Sequence, residues 1–315
     1  MAQDTEEPAK PPRTQYVIIS FDGAGPVAQW ERSRALAARA GAKFTYFLSC
    51  VYLVAPEEKK IYTAPGHKPG RSNIGFAHNA AEIEPRLAEI WAARGEGHDI
   101  ASHGCGHYDG KDWTKSDWVQ EFDSFKTLLA TAYERHAFAG EPEGWRDFAA
   151  HGIRGFRAPY LSTGDGLYEA LAEEGFAYDA SGVSRGPAMP SDEGGVVRFA
   201  LPQIPEGPKN RRVIAMDYNL FVRHSGGFEQ SDAEGVFEQR SVDAFKAAFD
   251  KQYRGERIPL EVGFHFTLMN HGAYWRALER FAGEACVKPG VVCTSYADYL
   301  KREGIAAPVT AGVGG

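Results

Sequence analysis

The stretch Gly97-His98-Asp99-Ile100-Ala101-Ser102-His103-Gly104-Cys105-Gly106-His107 decides how this chain is read. It begins as a short apolar run and ends in two histidines four residues apart. On a helix that spacing would put both imidazoles on one face. Gly104 and Gly106 argue against a helix, because glycine is a poor helix-interior residue. They favour a tight loop just past a strand end, where both rings can converge on one point. Such convergence builds half of a divalent-metal site. The plain alternative is a pair of loop histidines facing solvent.

The segments around this stretch alternate between strand and helix patterns. Residues 16–21 form a β-branched apolar run, read as a buried strand that ends at Asp22 and the turn Gly23-Ala24-Gly25-Pro26. Residues 27–41 read as a helix stopped by Gly41, and residues 43–48 as the next strand, so the order argues for parallel strands. Residues 50–80 read as a surface excursion. A helix over 81–94 leads into the histidine stretch, and another over 113–135 follows, with His136 as a dipole-friendly cap. Residues 153–157 read as a strand entering Ala158-Pro159-Tyr160, and residues 176–179 as a strand ending at Asp179. Residues 182–212, rich in Gly, Pro and charge, read as a second excursion. Residues 213–218 are strand-like, 241–253 helical, and 260–264 a strand ending at His265. A helix over 274–282, a strand over 291–294 and a helix over 295–302 complete the chain.

The sum is roughly seven strand–helix units with no linker between them. That predicts an α/β fold, a distorted (β/α) barrel in one domain over residues 15–305. Residues 1–14 read as a polar, proline-rich disordered leader and residues 306–315 as a disordered tail. Asp22, His103 with His107, Arg157, Asp179 and His265 all fall at the carboxyl ends of predicted strands. In such barrels that rim is where chemistry is done.

Composition narrows the partners. The 315 residues are 43% hydrophobic, enough for a sizeable core, and carry a formal net charge of -7 with no basic run. Nucleic acid and anionic membrane surfaces are therefore not expected partners. No apolar run approaches the roughly 20 residues of a membrane helix. Of the four cysteines, Cys286 and Cys293 flank a Pro-Gly turn and are able to close a small disulfide loop. Cys50 and Cys105 each follow a strand and are able to meet; four reduced thiols are the alternative. A disulfide fits an exported protein. The polar start reads as a mature N-terminus whose export signal has been removed, giving an expected periplasmic or secreted location.

The ordered polar residues resemble the motifs of polysaccharide deacetylases of the NodB-homology type, carbohydrate esterase family 4. The resemblance runs from about residue 16 to about residue 300. Ser20-Phe21-Asp22-Gly23 resembles the first motif, usually Thr-Phe-Asp-Asp. Gly97-His98-Asp99-Ile100 with His103 and His107 resembles the second, and Gly155-Phe156-Arg157-Ala158-Pro159-Tyr160 the third. Tyr178-Asp179-Ala180-Ser181 is similar to the start of the fourth, and Val262-Gly263-Phe264-His265 to the fifth. Met216-Asp217-Tyr218-Asn219 and residues 264–275 are similar to a bacterial branch.

The resemblance implies a hydrolase that removes N-acetyl groups from N-acetylglucosamine-containing polysaccharide or oligosaccharide. It implies a divalent metal, zinc first, held by His103 and His107. Asp22 matches the base, Arg157 its partner, His265 the acid and Asp179 the group that holds the acid. The backbone N–H of Tyr160 would help bind the oxyanion. The usual metal aspartate aligns with Gly23, which has no side chain. The third ligand is therefore open between Asp22, Asp109 and water alone. Gly23 also supports a rival, a carbohydrate-binding pseudoenzyme; a metal-free amidohydrolase acting on a small cyclic amide is a third reading. Trp113, Trp118, Tyr274 and Trp275 read equally as sugar-stacking or core residues. His271 lies close enough in sequence to His265 to join the site.

Overall fold

The computed structural model describes residues 13–305. The expected tail and all but the last two residues of the expected leader lie outside the described residues. The strands are β1 (Gln15–Asp22), β2 (Thr45–Leu48), β3 (Asp99–Ser102), β4 (Gly155–Phe156) and β5 (Tyr178–Ser184). They continue with β6 (Ser191–Glu193), β7 (Val196–Glu206), β8 (Arg211–Ile214), β9 (Leu260–His265) and β10 (Val291–Thr294).

β1 is the axis of the sheet and is buried along its whole length, as a continuous β-branched run in a parallel sheet must be. β9 pairs with it from Val17 to Asp22, while β10 pairs with residues 15–18 and β2 with residues 20–22. A strand has two edges, so β9 takes one, and β10 and β2 divide the other. From β2 the parallel ladder runs through β3, β4 and β5 to β7, and β6 and β8 lie antiparallel to β7. The ring closes at one point, where Met216, just past β8, bridges Gly263 of β9. A Cβ at Gly263 would stand 2.8 Å from Met216 Cε, so the glycine lets the Met216 side chain lie close over the bridge. The result is the expected distorted barrel, and Asp22, His103, Arg157 and His265 all emerge at its carboxyl rim.

Two sequence readings are corrected. Residues 182–212 are not an excursion but hold β6 and β7, the latter 11 residues long. Pro202 and Pro205 disguise β7, since proline ordinarily demotes a strand to an edge. Pro205 sits exposed in the β7–β8 hairpin, at the end away from the parallel ladder. Residues 213–218 are also not one strand: β8 stops at Ile214, and a helix, Asp217–Ser225, begins three residues later.

The outer layer packs aromatic side chains between sheet and helices. Phe21 stacks on Tyr46 with ring centroids 5.5 Å apart and meets Trp275 at 5.2 Å. Trp118, Tyr274 and Trp275 are buried, and Trp113 packs against the core, so these four are core residues rather than sugar platforms. Among the described residues no helix is long and apolar enough to cross a membrane.

Both cysteine pairs are joined, Cys50 to Cys105 and Cys286 to Cys293. The first closes a loop with a sequence separation of 55, the second one of 7. On the chain-entropy view these separations correspond to about 4 and about 2.5 kcal/mol. Replacing Cys50 and Cys105 by alanine is therefore expected to lower the unfolding free energy by about 4 kcal/mol. Chemical denaturation beside a Cys286→Ala, Cys293→Ala control checks the order of the two effects.

Candidate active site

Asp22 ends β1 directly beside His265, its register partner at the end of β9. Neighbouring parallel strands in register point these residues to the same side. His103 follows β3, and its N–H donates to Leu48 O at 2.9 Å, which carries the loop past the end of β2. Asp22, His103, His107, Tyr160 and His265 line one cavity of about 410 Å3. His271 does not line it; its carbonyl accepts from Arg276 Nη1 at 2.8 Å on the surface.

Arg157 is fully buried beneath this cavity. Its guanidinium donates to Asp22 Oδ1 at 2.8 Å, Ser20 Oγ at 2.9 Å, Ala180 O at 3.0 Å and the Tyr296 hydroxyl oxygen at 2.8 Å. It also lies over the Phe47 ring at 4.3 Å. Burial alone would raise the Asp22 carboxyl, but the Arg157 charge, aided by His265, outweighs it and holds Asp22 below the ordinary carboxylate range. Asp22 is thus an anion kept ready in a nearly dry site.

The two loop histidines are held as neutral rings. His103 Nδ1 lies 2.8 Å from Arg157 O, which only accepts, so Nδ1 carries the proton and Nε2 keeps its lone pair. Burial pushes the His103 imidazole down to about 3 and lowers His107 as well. The ring centroids are 5.0 Å apart. His107 Nδ1 is buried without any hydrogen-bond partner. Its backbone has φ +55, and Tyr160, whose ring centroid is 4.8 Å from that of His107, has φ +60. Left-handed backbone at two neighbouring non-glycine residues is the kind of strain that gathers at functional sites.

The loop carrying these rings is clamped from behind. Glu121, buried on the helix Lys115–Ala130, accepts from Cys105 N–H at 2.7 Å, Gly106 N–H at 3.3 Å and Tyr62 Oη–H at 2.9 Å. Gly106 has no room for a side chain, since a Cβ would stand 2.6 Å from Tyr62 Oη. Glu121 escaped the sequence reading because an isolated helical glutamate looks like a solvent-facing residue.

Two site assignments are corrected. His265 is held by Asp217, not Asp179: Nδ1–H donates to Asp217 Oδ1 at 2.6 Å and the His265 N–H to Oδ2 at 2.7 Å. Burial would lower His265, but the Asp217 charge and hydrogen bond win and raise it, favouring imidazolium. Asp179 instead accepts from the Ser181 N–H and hydroxyl, and Ser181 Oγ accepts the Ala158 N–H at 2.7 Å. It therefore braces the turn that presents Tyr160. Burial pushes the Asp179 carboxyl up to about 6. The second correction is Asp109, which is exposed, accepts the Lys111 N–H at 3.1 Å and lies outside the cavity lining, so it is not a third ligand. Tyr160 and Tyr218, both exposed, are the aromatic side chains that line the cavity mouth.

The orphaned Nδ1 of His107 and the Nε2 lone pair of His103 are donors of the kind that would suit a divalent metal. Among the described residues no group of three His, Cys, Asp or Glu stands ready to hold an ion. At Gly23, with φ +64, the nearest atom to a would-be Cβ is Tyr52 Oη at 4.0 Å. The shell offered by the chain is thus a pair of nitrogens facing one carboxylate.

No family model matches the chain, and no curated protein matches its sequence. Solved structures do match over nearly the full length. A candidate polysaccharide deacetylase from Mycobacterium smegmatis is 14% identical with a TM-score of 0.56, covering 96% of each chain. A candidate polysaccharide deacetylase from Pseudomonas aeruginosa PAO1 is 16% identical with a TM-score of 0.54, covering 94% of this chain and 96% of that one. Puue allantoinase is 17% identical with a TM-score of 0.53, covering 96% of each. At these identities the likeness speaks for the fold. By fold, the chain is a barrel of the NodB type found in polysaccharide deacetylases.

Proposed function

We propose that this protein is a metal-dependent amide hydrolase that removes N-acetyl groups from N-acetylglucosamine-containing polysaccharide or oligosaccharide. The observation that carries this reading is the pairing, in one cavity, of an arginine-bound carboxylate with an aspartate-bound histidine. Asp22 is held ionised, so it is able to take a proton from a water beside the amide carbon. The Asp217 pairing favours the protonated form of His265, whose Nε2–H is then able to deliver a proton to the departing amine nitrogen. The two roles follow from opposite environments for neighbouring groups. The turn braced by Asp179 and Ser181 positions Tyr160 at the cavity edge, where its backbone N–H would meet the oxyanion. A divalent ion, zinc first, on His103 and His107 would supply Lewis-acid polarisation of the carbonyl. Two disulfides support export to the periplasm or beyond, where such bonds persist.

The test is acetate release from N-acetylglucosamine oligosaccharides. Release that is lost on chelation and restored by zinc is expected. Gly23 favours a second reading, a carbohydrate-binding pseudoenzyme. That reading requires oligosaccharide binding with no acetate at any metal loading. Ring opening of a small cyclic amide without acetate release from sugars would favour the third reading instead.

The His265–Asp217 pair gives a pH prediction. Activity needs His265 protonated, and its raised affinity for the proton carries the alkaline limb above the ordinary histidine range near 6.5. In Asp217→Asn, burial acts on His265 with only the weaker Asp22 charge opposing it. The alkaline limb is expected to move to lower pH and kcat to fall about 100-fold, within the range a positioned acid supplies. A pH–rate profile of both proteins checks this, and Asp179→Asn is expected to leave the alkaline limb in place.

A further inference from the structure

A second hollow, of about 720 Å3, opens beside the active-site cavity and shares Ile214, Tyr218 and Asn219 with it. The two are therefore parts of one groove. Its geometry follows from two periodicities. Strand residues two apart share a face, so Arg212 lies with cavity-lining Ile214 on β8. Helix residues four apart share a face, so Arg223 lies with cavity-lining Asn219 on the helix Asp217–Ser225. Arg212, Arg223 and Gln203 line the hollow beyond the shared residues, and no carboxylate lines it.

The charge here runs against the whole. The chain carries a formal net charge of -7, yet Lys209, Arg211, Arg212 and Arg223 cluster on one hairpin and the helix after it. Arg223 Nη2 donates to Arg212 O at 3.0 Å, and Arg212 Nη1 donates to Gln203 O at 3.1 Å, which fixes both side chains at the groove. The nearby acid, Glu206, is buried and engaged by Arg240 at 2.6 Å, by His224 at 3.1 Å and, more loosely, by Arg223 at 3.9 Å. Among the described residues Lys209, Arg211 and Arg212 form no ion pair. The Arg212 guanidinium, without an acidic partner among the described residues, is suited to a planar anion such as a carboxylate, and Arg223, which meets Glu206 only at 3.9 Å, adds positive charge beside it.

We propose that this groove is a subsite for an acidic glycan, one whose sugars flanking the reacting acetamido residue carry carboxylate groups. The proposal rests on the deacetylase reading and deepens it by naming the substrate class. The Tyr218 face receives the sugar next to the reacting one, and Arg212 with Arg223 receives the carboxylate beyond it. The arrangement is one-sided, so anionic groups count on the flank over β8.

The experiment compares two hexasaccharides of equal length. One is a neutral N-acetylglucosamine oligomer, and the other alternates N-acetylglucosamine with a uronic acid. Wild-type protein is expected to show a higher kcat/KM for the acidic one, falling as salt rises, while the neutral one stays level. In Arg212→Glu the ratio of acidic to neutral kcat/KM is expected to drop about tenfold or more, a usual effect of reversing one facing charge. Equal ratios in wild type and Arg212→Glu, with no salt dependence, would overturn the subsite. Inorganic phosphate and free uronic acid as competitors separate a general anion effect from carboxylate recognition; stronger competition by phosphate would overturn the carboxylate assignment. If neither hexasaccharide yields acetate, the hydrolase reading fails and titration calorimetry decides the subsite separately. Tighter binding of the acidic hexasaccharide by wild type than by Arg212→Glu then supports it, and equal binding overturns it.

Discussion

An Asp22→Asn protein is expected to release acetate about 1000-fold more slowly than wild type, with KM changed little. The size follows from what a positioned general base contributes, about 100- to 10,000-fold. The kcat-weighted pattern follows because proton removal matters in the transition state and not in substrate binding. Asparagine keeps the shape of the side chain but neither its charge nor its basicity. Arg157 still has Ser20, Ala180 and Tyr296 to bond, so the variant is expected to fold at 25 °C by circular dichroism, with a lowered melting temperature. The same variant resolves the role left open by Gly23. If Asp22 is the base, the variant retains its bound metal by elemental analysis. Loss of metal along with activity would make Asp22 a ligand instead.

Replacing Arg157 is expected to cost as much stability as removing the Cys50–Cys105 disulfide, and it acts at the site itself. Arg157→Met leaves the Asp22 carboxylate buried with its cation gone, and breaking a buried ion pair from one side costs about 3–5 kcal/mol. Arg157→Lys retains a charge but not the planar fork that meets Asp22, Ser20, Ala180 and Tyr296 together, so it is expected to recover only part of the loss. The pH dependence carries a definite sign. In wild type the Asp22 pKa is depressed, so its contribution is present above the unfolded carboxylate value near 3.9 and is lost as pH falls through the folded one. In Arg157→Met burial dominates and raises it, so Asp22 destabilises the fold at neutral pH and ceases to do so once protonated. The stability gap between the two proteins is therefore widest near neutrality and narrows in acid. Urea denaturation at a series of pH values reads this directly. In wild type, Glu261, which burial pushes up to about 7 against the Arg157 charge, has the opposite sign: its contribution weakens as pH rises from its unfolded value toward 7.

The residues legible in the sequence share one property. Asp22, His103, Arg157 and His265 each follow a short apolar strand, and a barrel gathers such positions at one rim. Asp217 obeys the same rule, since it follows β8 and Met216, but it opens a helix inside what reads as a continuous strand. Asp179 is not at a strand end as expected: β5 begins at Tyr178 and runs on to Ser184, which leaves Asp179 level with Phe156 and below the rim. Chain order does not reveal which acid faces His265; that is set by the Met216–Gly263 bridge, which brings the end of β8 against β9. β7 was hidden by its prolines, and Glu121 by a helical position whose inward face becomes visible only once the 104–107 loop packs on it. The disulfides followed from strand ends for Cys50 and Cys105 and from a turn for Cys286 and Cys293, so local geometry sufficed there.

The most direct test is X-ray absorption at the zinc edge on zinc-loaded wild-type protein beside His107→Ala. The expected wild-type spectrum shows two histidine nitrogens at about 2.0–2.1 Å and oxygen atoms completing the shell, with one nitrogen missing in the variant. Absence of bound zinc, or the same coordination in both proteins, would contradict a metal shared by His103 and His107 in front of Asp22.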